Sequence, residues 1–226
     1  MIKKILLALL GLVVFIVLFF GANVLFFTQG AKKISRGTPI PEYQEKRSAL
    51  LVIDIQGCTT GEISLDETFQ LQSEELITTT NQIIKSCRVK NIPVIYIRSE
   101  LRNPFLNMIN NTMATGSEGA ALDERLMIVS DYNLTKNRKD AFCNPELDRI
   151  LSEKSISKLF FTGLDAAHCV NSTIQAAQNR GYSTLAVRDA LISETPAMKD
   201  SMMTEFSERG VGVITSDKFY AEESNP

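Results

Sequence analysis

Hydrophobic positions along the chain form two kinds of run. One is a single stretch, ILLALLGLVVFIVLFFGANVLFF at residues 5–27, with no charged side chain. At a helical rise of about 1.5 Å per residue it covers roughly 34 Å, enough to cross a hydrocarbon core of about 30 Å. The other runs are short, continuous and rich in β-branched residues, the pattern of strands buried on both faces. ALLVIDI (49–55), PVIYIRS (93–99), LMIVS (126–130), KLFFTGL (158–164), STLAVRDA (183–190) and VGVITS (211–216) predict six such strands.

Helical patterns lie between them, over about 71–90, 144–154, 167–180 and 196–209. Asn144-Pro145 has the residue types of an N-cap and first helical position, and the last helix opens at Pro196 and stops at Gly210. Strands alternating with helices imply right-handed βαβ units. The expected fold is therefore α/β, with a mainly parallel six-stranded sheet, helices on both faces and one transmembrane helix ahead of it. The organisation that follows is a membrane anchor at 1–27 (span 5–27), a linker at 28–47, a folded domain at 48–220 and a tail at 221–226. The linker mixes Gly, Pro, Lys and Arg without apolar periodicity. Residues 100–125, full of Asn, Gly and Met, interrupt the alternation. A segment of that length fits a lid or substrate-facing loop, and equally a loose insertion.

Composition narrows the class. The 226 residues are 44% hydrophobic with a net charge of −2, which excludes a disordered chain and nucleic-acid binding as the main task. The apolar stretch exceeds the roughly 7–15 residues of a signal-peptide core and lacks a good small-x-small cleavage site, so a retained single-pass anchor is expected. Lys3 and Lys4 precede it, whereas Lys32, Lys33 and Arg36 follow, with Lys46 and Arg47 beyond; this balance leans towards a cytoplasmic domain. Cys58, Cys87, Cys143 and Cys169 have no CxxC spacing, and His168 is the only histidine. No metal and no other cofactor is expected, and free thiols in a reducing compartment fit best.

Three residues can carry chemistry at the carboxyl ends of the strands, where parallel sheets bind ligands. Asp54 ends the first apolar run, Cys169 opens a helix just past the fourth, and Lys136 follows the third. A helix N-terminus favours a thiolate. Each residue also has a structural reading: Cys169 as an inert core thiol, Asp54 as a turn cap, and Lys136 as part of a solvated basic cluster with Arg138 and Lys139. Asp189, in AVRDA, reads as the tie of a turn.

Taken together, ALLVIDIQ, KNRKDAFCNPELDRIL, TGLDAAHCVNSTIQAAQNRGY and AVRDA, in that order, resemble the isochorismatase-like hydrolase superfamily over about residues 48–217. This superfamily includes nicotinamidases, N-carbamoylsarcosine amidases and ureidoacrylate amidohydrolases. The resemblance implies an Asp54, Lys136, Cys169 triad, Lys136 being chosen over Lys139 by its register six positions before Phe142. It also implies a cis peptide at Leu164-Asp165 and an oxyanion hole made by the backbone N–H groups of Asp165 and Cys169. Such a triad implies thioester-forming hydrolysis of a C–N bond in a small amide, carbamoyl or ureido substrate. The alternative is an idle fold serving as an interaction module at the membrane, since GCTTGE replaces the family's usual segment after Gln56. A single histidine does not match the histidine-rich site of metal-dependent nicotinamidases. Members often pair, so a homo-oligomer is a further expectation.

Overall fold

A computed structural model describes residues 2–222. Six strands, β1 (Arg47–Ile53), β2 (Val94–Ser99), β3 (Asn133–Lys136), β4 (Ile156–Gly163), β5 (Ser183–Leu191) and β6 (Gly212–Ile214), form one sheet in the order β3-β2-β1-β4-β5-β6. Every neighbouring pair is parallel. Because side chains alternate across a strand, β1 is apolar on both faces and separates two cores. Ala49, Leu51 and Ile53 pack with Leu147 and Ile150 of α4 (Pro145–Glu153), Ile174 of α5 (Asn171–Gln178) and Phe206 of α6 (Pro196–Glu208). Leu50 and Val52 face Leu76, Ile83 and Ile84 of α2 (Glu67–Val89) and Phe219 of α7 (Ser216–Glu222). The expected α/β fold is thus present.

One strand lies elsewhere than the sequence predicts. LMIVS at 126–130 is an irregular segment, and the third strand is the polar NLTK at 133–136. Side chains satisfy the backbone of 125–130 in place of a ladder: Asn81 Nδ2 donates to Arg125 O, the Met127 N–H donates to Asn81 Oδ1, Tyr96 Oη donates to Met127 O, and the Val129 N–H donates to Tyr96 Oη. Met127 and Ile128 are exposed. As the sheet edge, β3 needs no apolar run, so hydrophobicity selected the wrong segment. The final helix α7 occupies residues that the sequence assigned partly to a strand and a tail, and the tail beyond residue 222 lies outside the described residues.

α1 (Ile2–Ala31) is the one helix among the described residues long and apolar enough to cross a membrane. A cleaved signal or a core helix can have the same length and composition, but this helix is not buried. Its C-terminal half touches the domain: Phe20 meets Phe105 of the short helix α3 (Pro104–Asn107) edge-on at 5.0 Å, and Asn103 Nδ2 donates to Asn23 Oδ1 at 2.8 Å. Beyond it, the Ser35 N–H donates to Asp140 Oδ2 at 2.7 Å and the Ile40 N–H to Arg180 O at 2.8 Å, so the segment before β1 lies strapped along the domain.

Candidate active site

Asp54 directly follows β1 and takes a left-handed conformation (φ 56°), a region that Asp tolerates better than most residues. Its carboxylate is 96% buried as a residue and fully engaged: Oδ1 accepts from Ser99 Oγ at 3.0 Å and Oδ2 lies 2.8 Å from Lys136 Nζ. Lys136 is the last residue of β3 rather than a loop residue beyond it. Its ammonium also donates to Ser99 Oγ at 2.6 Å and contacts Cys169 Sγ at 3.2 Å. All three of its donors therefore have partners, which a buried ammonium requires.

Cys169 sits in a π-helical turn, Ala166–Val170, between β4 and α5. Gly163 makes that junction possible. Its φ of 110° suits only glycine, and a Cβ there would lie 2.0 Å from Ile53 O. The close approach lets the Leu164 N–H donate to Ile53 O at 3.0 Å, which brings the turn over the end of β1 beside Asp54. The Leu164-Asp165 peptide is cis. The Asp165 N–H has no acceptor among the described residues, whereas the Ala166 N–H donates to Ile192 O and the Val170 N–H to Asp165 O.

Electrostatics favour a resting thiol. Burial and the adjacent Asp54 carboxylate push Cys169 from its ordinary 9.0 up to about 12, and Lys136 only partly opposes them. This departs from the thiolate that a helix N-terminus alone would favour: the sulfur lies ahead of α5, and a carboxylate at contact outweighs a partial dipole charge. For Lys136, burial works against the charge, but Asp54 and the Cys169 sulfur together hold the ammonium above its ordinary value.

The structure brings Asp54, Lys136 and Cys169 together. It adds Ser99, which the sequence reading missed, although its hydroxyl ends β2 as Asp54 follows β1. Gln56 is a second omission: its amide accepts from the Ser99 N–H at 2.6 Å and donates to Ser99 O at 3.1 Å, fixing that strand end. The segment after Gln56 packs under residues 118–121, where the Gly57 and Cys58 N–H groups donate to Ala121 O and Gly119 O, both at 3.0 Å. A cavity of about 690 Å³ opens beside it, lined by Thr60, Glu62, Gln70, Glu118, Asp123 and Arg125 among others, but by no member of the triad. Asp189 lies within β5 and ties no turn: it accepts from the Ser216 N–H at 2.8 Å and so joins β5 to the start of α7.

The isochorismatase domain matches residues 48–218, most of the chain and all six strands. The chain belongs to the isochorismatase family. Among its relatives, N-carbamoylsarcosine amidase of an Arthrobacter species is 25% identical over 138 residues, 55% of this chain. The match spans only about half, 52%, of that amidase's own length. The ureidoacrylate amidohydrolase of Yersinia enterocolitica is 25% identical over 183 residues, covering 69% of this chain and 79% of the relative. In three dimensions, the N-carbamoylsarcosine amidase of Thermoplasma acidophilum superposes with a TM-score of 0.63 at 25% identity, covering 76% of this chain and 97% of its own. The isochorismatase fold places Asp54 just after β1, Lys136 at the end of β3 and Cys169 in the turn after β4, so the three meet at the carboxyl ends of the strands.

Proposed function

We propose that this isochorismatase-family protein is a membrane-anchored cysteine amidohydrolase cleaving the C–N bond of a small amide, carbamoyl or ureido compound. One observation carries the reading: a single buried ammonium, Lys136, contacts both the Asp54 carboxylate at 2.8 Å and the Cys169 sulfur at 3.2 Å. Nucleophile, base and orienting cation within contact distance are the grouping that activates a thiol. Cys169 rests protonated and gives its proton to Asp54 as sulfur attacks the carbonyl carbon. The S–C bond forms, and the carbonyl oxygen becomes an oxyanion held by the Asp165 and Cys169 N–H groups. Donors of this kind contribute about 3–4 kcal/mol each in comparable sites. Collapse breaks the C–N bond, and the proton on Asp54 leaves with the amine or ammonia. Water then adds to the thioester, gives a proton to Asp54 and releases the acid. The sulfur departs as thiolate and regains that proton. Lys136, in contact with both groups, offsets the charge that builds on sulfur. α1 holds the domain of residues 48–220 on a membrane, on the cytoplasmic side by its flanking charges.

A second reading, an idle fold used as an interaction module, draws support from the large cavity being lined by no member of the triad. One experiment separates the two. The full chain in detergent is assayed for ammonia release from primary amides, N-carbamoyl amino acids and ureido acids, and for acylation of Cys169 by an activated ester. Release from one class, absent in Cys169→Ala, is expected. A folded protein that neither releases ammonia nor acylates at Cys169 overturns the hydrolase reading.

A further inference from the structure

The turn that carries Cys169 also holds a second polar cluster, whose side chains the proposed reaction does not use. Asp165, His168 and Glu194 each offer one ligand atom, and these atoms lie within 4.8 Å of one another. Asp165 is 93% buried, and its two carboxylate oxygens fare differently. Oδ1 accepts from the Ala167 N–H at 2.9 Å and from the Ser193 hydroxyl. Oδ2 is buried without any hydrogen-bond donor, an arrangement that ordinarily costs about 1–3 kcal/mol, and more for a charged group. The nearest candidate, His168 Nε2, is 4.0 Å away and out of hydrogen-bonding reach. That nitrogen is in turn 3.8 Å from Glu194 Oε1. Neither Asp165 nor Glu194 pairs with a lysine or arginine among the described residues.

We infer that Asp165, His168 and Glu194 form a binding site for a first-row divalent cation of the zinc class, which joins the Cys169 turn to the loop between β5 and α6. The spacing suits such an ion. Tetrahedral bonds of about 2.0–2.1 Å put ligand atoms roughly 3.4 Å apart. The observed 4.0 and 3.8 Å need to close by about half an ångström, and all three ligand atoms already lie within 4.8 Å of one another. The movement falls on the two free side chains, His168 at 46% and Glu194 at 53% exposure, while Asp165 stays fixed by its Oδ1 contacts. One imidazole with two carboxylates selects a borderline ion over a soft, thiolate-seeking one, and exposure gives the ion a path in. An ion there supplies the buried Asp165 Oδ2 with its missing partner.

The test uses the full chain in detergent, stripped with EDTA and kept reduced with a phosphine that does not bind metal. Zn²⁺ is titrated by calorimetry, and Co²⁺ by its visible absorption. One equivalent is expected to bind, with the Tm rising by at least about 3 °C. Glu194→Gln and His168→Gln, both at exposed positions and expected to fold, should each weaken binding at least about tenfold. Cys169→Ala should bind as the wild type does, without loss of the Tm shift. No binding to the wild type overturns the site, as does binding that survives both ligand substitutions. Binding lost only in Cys169→Ala overturns it too, because the ion then sits on the thiol. None of these readouts involves turnover, so the site stands or falls separately from the hydrolase reading.

Discussion

Two polar clusters share the turn at residues 165–170, and they are built in opposite ways. In the first, Lys136 contacts Asp54, Ser99 and Cys169 at 2.6–3.2 Å, Ser99 donates to Asp54, and both charges are buried and paired. In the second, His168 stands 4.0 Å from Asp165 and 3.8 Å from Glu194, with one buried oxygen unpartnered and two side chains in solvent. A closed cluster supplies its charges with partners from within. An open one holds its ligand atoms apart until an outside cation draws them together. The difference lies in completeness: each cluster contains a buried carboxylate, and only the first gives that carboxylate a cation of its own.

The sharpest break between the clusters is in turnover. Cys169→Ala should reduce ammonia release from any accepted amide by at least about 10⁴-fold, as loss of a nucleophile does, with unfolding in urea little changed. Comparable release in the variant would remove the sulfur from the reaction. Next in size is stability. Lys136→Met leaves the Asp54 carboxylate buried without its cation and should cost about 3–5 kcal/mol in a denaturant titration. Glu194→Gln, at the exposed corner of the open cluster, should shift the metal-free protein by no more than about 0.5 kcal/mol. Equal effects would erase the distinction between a completed and an open cluster.

Thiol reactivity gives a third, smaller effect. With Cys169 held up at about 12, iodoacetamide labelling should be slow at pH 7 and climb about tenfold per pH unit to pH 10 without a plateau. Asp54→Asn removes a charge that raises the thiol, so labelling at pH 8 should speed up several-fold, and Lys136→Met should slow it. A plateau below pH 8 in the wild type would mean a resting thiolate. The smallest effect is the pH dependence of folding. Cys169 and Lys136 both titrate higher in the fold than in the unfolded chain, so each adds stability below its unfolded value and loses it as pH rises above that value. For the thiol the loss begins near its ordinary 9.0 and should amount to about 1 kcal/mol between pH 9 and 10; Cys58, raised to about 11 chiefly by burial, adds a loss of its own, so Cys169→Ala should reduce the fall by about half. Urea midpoints that stay level across that range in the wild type would contradict the raised thiol.

Much of this was legible in the chain because buried parallel strands announce themselves. β1, β2, β4 and β5 are continuous apolar runs, and the Gly163 junction follows β4 directly in sequence. β3 was not legible, since NLTK is polar and pairs on one side only, at the sheet edge. LMIVS reads like a strand, yet its backbone partners are side chains of Asn81 and Tyr96. Ser99 and Gln56 escaped for a related reason: a serine at a strand end and a buried amide have no periodicity, and their roles arise from neighbours dozens of residues away.

By itself the sequence determined the α/β class, the apolar helix at the N-terminus, and the three residue types at the strand ends whose order and register resemble one family. These are local properties, fixed by periodicity and by short motifs. Tertiary structure alone decided that Lys136 touches Asp54 and Cys169 at once, that burial and Asp54 push the Cys169 thiol up where a helix N-terminus would lower it, and that Glu194 comes to stand beside His168. Protonation and ligand sets depend on through-space distance in a medium of low dielectric, where a carboxylate at contact outweighs a partial helix charge. Spacing along the chain does not encode that distance.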